Sequence, residues 1–246
     1  MLTQWLSKSG KKSTKQAYDH SRYEGRRRVL RWMLDYLAFN LLMKFDGAEG
    51  VDKVPKQGPA IVYFNHIAFI DPIIILASLP RNVVPMAKIE ALRYPIWGIF
   101  PHIWNVILVR RGEVDRQAIR GALDVLKAGE TVLIAPEGTR NRELQQAKGG
   151  LAYLATRSGA PLVPVTVEGT DQFPMFLPFL THKPGARATF GRPFKFKDRG
   201  HKPDREELRL MTDEAMYILA EMLPESRRGF YKDLTQATRD TIVPIY

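Results

Sequence analysis

Residues 60–77 read Ala-Ile-Val-Tyr-Phe-Asn-His-Ile-Ala-Phe-Ile-Asp-Pro-Ile-Ile-Ile-Leu-Ala, and no other stretch constrains the fold as much. Ala60–Phe64 is a short apolar run with β-branched and aromatic residues, which predicts a buried strand. Pro72 lacks a backbone donor and suits the first position of a helix, and Asp71 before it is a favoured N-cap. The chain is therefore expected to leave a strand near Phe64, turn through Asn65–Ile70 and enter a helix at Pro72. His66 and Asp71 bracket that turn.

A histidine and an aspartate at such a turn can act as a base and its orienter. Histidine changes charge near neutral pH, and a carboxylate on one ring nitrogen leaves the other free to accept a proton. Five-residue spacing does not bring two side chains to one helix face, which needs three or four. The two meet only if the loop curls. Otherwise Asp71 merely caps the helix and His66 is an ordinary loop residue; this stretch alone leaves both readings open.

Strand-like and helix-like patterns alternate after it. Val83–Ala87, Asn105–Arg110, Thr131–Ala135, Leu162–Val167 and Ala186–Phe190 read as strands. An apolar helix-like stretch from Ile89 is broken by Pro95 and Gly98. Residues 114–128 place Ala118, Ala122, Val125 and Leu126 at helical spacing, ended by Gly129. Lys148–Ser158 and Asp204–Leu223 are the later helices. Such alternation predicts an α/β fold with a mostly parallel central sheet flanked by helices, whose ligands bind at the carboxyl ends of strands.

A second motif, Pro136-Glu-Gly-Thr-Arg140, follows the strand ending at Ala135. With Asn65-His66-x4-Asp71 it resembles the glycerolipid acyltransferase family, of the lysophosphatidate (1-acylglycerol-3-phosphate) acyltransferase type. Further blocks fall in the same order: Ala87-Lys88 ahead of Pro95 and Gly98, Ile107-Leu-Val-Arg-Arg-Gly112, and Pro161-Leu-Val-Pro-Val165. The resemblance covers roughly residues 51–231; Asn141 stands where the family often has serine.

The resemblance implies transfer of a fatty acyl group from acyl-coenzyme A or acyl-carrier protein to the free hydroxyl of lysophosphatidate, giving phosphatidate. It implies no cofactor beyond that donor substrate and no metal. His66 is then the general base and Asp71 its orienter. No Gly-x-Ser-x-Gly elbow occurs and the chain has no cysteine, which favours direct attack over an acyl-enzyme. Arginine matches a phosphate bidentately and glycine allows close backbone approach, so Arg140, with Gly138 and Thr139, is the expected phosphate ligand. The resemblance puts Glu137 and Asn65 in the substrate site as well. Lys88 and Arg110 each follow a strand and are the next candidates, unless they are solvated surface charges. His20, His102, His182 and His201 lack the spacing of a metal site.

A formal net charge of +11 favours an anionic partner: nucleic acid, lipid headgroups or a phosphorylated substrate. No RNA-reading aromatic motif supports nucleic acid. Residues 1–28 carry eight Lys and Arg against Asp19 and Glu24, and are too long and charged for an ordinary secretory signal. Gly10-Lys-Lys-Ser-Thr14 lacks the first glycine and preceding strand of a phosphate loop.

Val29–Phe45, as a helix, would be about 26 Å long against a hydrocarbon core of ~30 Å, and it contains Arg31, Asp35, Asn40 and Lys44. A helix lying in the membrane interface fits that pattern, helped by roughly 1 kcal/mol for each preceding cation near an anionic surface; a helix packed on the protein's own core is the alternative. The resemblance favours the membrane. We therefore expect a membrane-associated helical segment over residues 1–50, a boundary in the Gly- and Pro-containing stretch 47–58, and a catalytic domain over residues 51–246 at the cytoplasmic face. The apolar loop Thr170–Leu180, with two prolines, either folds onto the core or faces lipid. The same chemistry on glycerol-3-phosphate or another lysophospholipid, or a non-catalytic basic membrane module, are the rival functions.

Overall fold

The computed structural model describes residues 18–19, 21–33, 44–93, 99–110, 115–173 and 185–245. Among the described residues nine strands form one sheet: β1 (Phe45–Glu49), β2 (Ala60–Phe64), β3 (Val83–Lys88), β4 (Ile107–Val109), β5 (Thr131–Ile134), β6 (Leu162–Glu168), β7 (Ala186–Phe190), β8 (Phe194–Phe196) and β9 (Ile242–Pro244). The described α-helices are α1 (Ser21–Met33), α2 (Asp71–Ser78), α3 (Ile99–Trp104), α4 (Arg116–Lys127), α5 (Gly150–Ser158) and α6 (Arg205–Glu221).

The strand order is β1-β7-β6-β2-β5-β3-β4, with β8 against β6 and β9 against β8. From β6 to β4 the strands are parallel. β7 runs antiparallel to β6, and β1 pairs with it in parallel. The all-apolar β2 lies in the middle, every residue buried, as a strand covered on both faces must be. Val62 and Phe64 point into a layer built on α2 and α3, with Ile73, Ile74, Phe100 and Trp104. Ile61 and Tyr63 point into a second layer made by α4, α5 and α6, with Val125, Leu154 and Leu219.

The path of the chain places the site. From β2 the chain passes through α2 to β3, two places away on one side. From β5 it passes through α5 to β6, two places away on the other side. Adjacent strands whose connections depart in opposite directions leave a crevice at their carboxyl ends, the usual ligand site of open α/β sheets. Both sequence motifs sit there.

The four apolar positions read from helical spacing in α4 are all buried, and Asp115 caps that helix by accepting from Gln117 N and Ala118 N. Asp204 and Glu207 form a reciprocal cap on α6. The stretch 47–58, expected as a boundary, has its first residues in β1, and Asp46 accepts from Gly185 N at 2.8 Å, which ties that edge to the chain entering β7. One expectation changes.

The helix expected to begin at Val29 instead begins at Ser21 and is docked on the protein. Arg27, buried within it, donates to the Trp104 carbonyl at 3.0 Å and to Asn82 Oδ1 at 2.9 Å. Residues 34–43, 94–98 and 174–180, on which other expectations fall, lie outside the described residues. No helix among the described residues is long and apolar enough to cross a membrane.

The C-terminal strand is held by one buried carboxylate. Glu214 of α6 accepts from Thr238 Oγ1 at 2.6 Å, Asp240 N at 2.7 Å, Thr241 N at 3.0 Å and Thr241 Oγ1. Burial raises its pKa, but these donors outweigh burial and hold it below the usual value. Its stabilisation is therefore present above the unfolded value of 4.5 and is lost as pH falls through the lower folded value. Glu214→Ala should cost about 2–4 kcal/mol at pH 7, because it strands the buried amide and hydroxyl of Thr241 and two partly buried donors. The gap between the urea midpoints of variant and wild type should narrow below about pH 4; a gap independent of pH would contradict this account.

Candidate active site

The turn after β2 curls back on itself. Asp71 Oδ2 accepts from Ile67 N at 2.6 Å and from Ala68 N at 2.8 Å, and lies 2.9 Å from His66 Nδ1. A carboxylate oxygen only accepts, so His66 Nδ1 is the third donor, and in the neutral imidazole Nε2 is then the acceptor. Asp71 is wholly buried, while the imidazole remains partly exposed and stacks edge-on against Phe64 at 5.4 Å. The N-cap of α2 is Ile70, not Asp71, so the carboxylate is spent on the turn and the imidazole rather than on a cap.

The register of β2 and β5 brings the second motif alongside. Tyr63 lies opposite Ile134, so the chains leaving the two strands run side by side. Asn141 N donates to the His66 carbonyl at 2.8 Å, joining the end of one motif turn to the start of the other. The Arg140 guanidinium lies over the Phe69 ring, 5.5 Å from its centre, so a residue of the first turn supports the cation of the second. Within the turn Gly138 has φ +68°, and Gly138 N donates to the Ala135 carbonyl at 3.0 Å. A side chain at Gly138 would be strained, and its Cβ would stand 3.6 Å from Lys148 Nζ. Lys148 was not a candidate from sequence; nothing in its local pattern marks it.

A crevice of about 1530 Å³ runs along this edge, and His66, Lys88, Arg110, Gly138, Thr139 and Arg140 all line it. Two expected substrate ligands do not. The Asn65 amide is taken up on both sides by β6, donating to the Val167 carbonyl at 2.9 Å and accepting from Val167 N at 2.8 Å. It clamps β2 to β6. Glu137 is 97% buried beneath the turn, where Oε2 accepts from Gln145 N at 2.7 Å and Oε1 has no hydrogen-bond partner among the described residues. Asn65 and Glu137 therefore brace the site rather than face it. No group of three or more His, Asp or Glu side chains that could hold a metal ion occurs among the described residues.

Burial raises the Glu137 pKa from 4.5 to about 7; the amides of Gln145 and His66 pull it down, and the nearby Asp71 charge pushes it up. The folded state thus favours the neutral acid. Its stabilisation is full below the unfolded value and is lost as pH rises through about 7. Glu137→Gln, which keeps an acceptor for Gln145 N, should remove this dependence. Between pH 5 and pH 8 the wild type should lose stability relative to the variant by on the order of 3 kcal/mol. Urea denaturation at the two pH values checks this, and parallel behaviour of the two proteins would contradict a buried neutral acid.

Comparison with known proteins shows what the chain is similar to. The acyltransferase family model matches residues 48–168. A 1-acyl-sn-glycerol-3-phosphate acyltransferase of Borreliella burgdorferi is 34% identical over 128 residues, half of this chain and 51% of that protein. The Bacillus subtilis enzyme of the same name is 29% identical over 163 residues, covering 66% of this chain and 80% of that one. The match thus spans about half the length of the first relative and most of the second. The crystal structure of the 1-acyl-sn-glycerophosphate acyltransferase of Thermotoga maritima superposes with a TM-score of 0.56 at 25% identity, covering 83% of this chain and 84% of that one. With both motifs meeting at one crevice, residues 48–168 carry an acyltransferase family domain.

Proposed function

We propose that the protein transfers a fatty acyl group from an acyl thioester to the free hydroxyl of lysophosphatidate. The observation that carries this is the His66–Asp71 pair at 2.9 Å, opening on the crevice that Arg140 also lines. The names of the relatives and the solved neighbour support the acceptor.

The acceptor hydroxyl donates a hydrogen bond to His66 Nε2. As its oxygen attacks the thioester carbonyl, the proton passes to Nε2, and Asp71 stabilises the imidazolium through Nδ1–H. The tetrahedral intermediate then expels the thiolate, which takes the proton from Nε2 and leaves as a thiol. The base returns to its starting form and no bond to the protein is made. Arg140, with Lys148 above Gly138, supplies positive charge for the phosphate monoester of the acceptor. Reaction takes place at a membrane surface: Val29 and Trp32 are 60% and 62% exposed on the strongly basic α1, the arrangement an interfacial helix needs.

His66→Ala should lower kcat by about 10²- to 10⁴-fold, and Asp71→Asn by a comparable factor, in an assay of thiol release. Arg140→Ala should raise the lysophosphatidate KM roughly tenfold or more. A panel of lysophosphatidate, glycerol-3-phosphate and lysophosphatidylcholine tests the acceptor. A lysophosphatidate KM unaffected by Arg140→Ala would overturn the phosphate assignment; thioester consumption unaffected by His66→Ala would overturn the base.

A further inference from the structure

The crevice passes over the edge of the sheet from one helical layer to the other, and its two ends differ in chemistry. In the layer of α2 and α3 it is lined by Pro72, Ile73, Phe100 and Pro101, with no charged side chain from those helices. In the layer of α4, α5 and α6 it is lined by Arg116, Arg120, Arg157, Arg205 and Arg209. These come as spaced pairs: Arg116 and Arg120 on α4, Arg205 and Arg209 on α6, each four residues apart and hence on one helix face. Between them the wall is apolar, with Ile119 and Leu123 of α4 facing Tyr153 of α5.

Folding does not account for these arginines. Arg116 and Arg205 occupy the first positions of their helices, where a cation opposes the helix dipole, and the first turn of α4 holds no acidic residue. Like charges four apart on one helix are unfavourable. Arg116, Arg120, Arg157 and Arg205 are exposed, with no hydrogen bond or ion pair among the described residues. Arg209 has only an exposed contact with Asp213 at 3.8 Å. Two carboxylates share this end of the crevice, and Asp115 is engaged in capping α4 while Glu206 lies beside Arg205.

We infer that this arginine-flanked groove binds the phosphate groups of the acyl donor, a thioester of a phosphorylated pantetheine carrier. The inference rests on the acyl-transfer reading above and assigns the part of the donor that does not react. Phosphate is what unpaired guanidinium groups recognise, through forked paired donors. An extended arm lying on Ile119, Leu123 and Tyr153 would bring its sulfur to the sheet edge at His66, leaving the uncharged end of the crevice for the acyl chain. Lysophosphatidate, held at Arg140, approaches from the strand ends.

The test compares three donors of one acyl chain: acyl-pantetheine, which has no phosphate, acyl-coenzyme A, and acyl-acyl carrier protein, whose arm carries one phosphodiester. With wild type, acyl-coenzyme A should have a KM far below that of acyl-pantetheine. Arg120→Ala and Arg157→Ala should each raise the acyl-coenzyme A KM roughly tenfold, and the triple Arg116, Arg120, Arg157→Ala should bring it to the acyl-pantetheine value. The acyl-pantetheine and lysophosphatidate KM values should stay within about twofold, and Arg187→Ala, an exposed arginine paired with Glu49 away from the crevice, should change none of them.

Equal losses with all three donors would overturn the proposal, as would a change confined to the lysophosphatidate KM. A loss confined to acyl-acyl carrier protein would also overturn it, in favour of docking by an acidic protein surface. Thermal unfolding of each variant separates binding from folding. If wild type consumes none of the three thioesters, the acyl-transfer reading fails instead.

Discussion

Oδ2 of Asp71 accepts from Ile67 N, Ala68 N and His66 Nδ1, and these converging hydrogen bonds set the shape of the turn at the end of β2. Two of the donors are backbone amides that an open loop would leave to water. Satisfying them on a buried carboxylate curls the loop, and the curl swings the imidazole onto the same oxygen. Loop shape, ring orientation and tautomer thus have one cause. The second turn depends on the first, since it is pinned to the His66 carbonyl through Asn141 N and steadied by Phe69 beneath Arg140.

Topology explains why two motifs some seventy residues apart share a crevice. β2 and β5 are neighbours, but the segments leaving them cross opposite faces of the sheet, so neither covers the other's exit. The polar residues under the crevice keep that exit in shape. Asn65 ties β2 to β6 through both hydrogen-bonding groups of Val167, and Glu137 holds the chain at Gln145. Each was expected to touch substrate and instead lies beneath the crevice, bonded to the protein's own backbone.

What could be read from the sequence follows from which signals are local. β2 is all apolar, α4 repeats its apolar residues with helical period, and Asp204 with Glu207 announces the start of α6; each pattern is complete within its own segment. β1 was missed because Phe-Asp-Gly-Ala-Glu has no alternation, its pairing with β7 being supplied by the backbone and by Asp46 on Gly185 N. β8 and β9, three residues each, are too short to show a period. The burial of Asn65 and Glu137 was not legible either, since an amide or a carboxylate in a motif looks the same whether it faces a ligand or a strand. Lys148 enters the site only because the chain after Pro136 returns to it, with Lys148 N on the Pro136 carbonyl. The arginine pairs on α4 and α6 were not read from the sequence, because only the tertiary arrangement puts them in one groove.

The helix that carries Asp71 has no solvated face: Ile73, Ile74, Ile75 and Leu76 are all buried, on every side of the helix. Surface helices fray and reopen at a small fraction of the global unfolding free energy, whereas a helix enclosed by core exchanges its amides only when the core itself opens. The aspartate that aims the imidazole is therefore fastened to one of the last parts of the molecule to loosen. Partial unfolding at the periphery, of α1 or of the β8–β9 edge, would leave His66 and Asp71 aligned, and disorder would reach them only together with the collapse of the whole sheet.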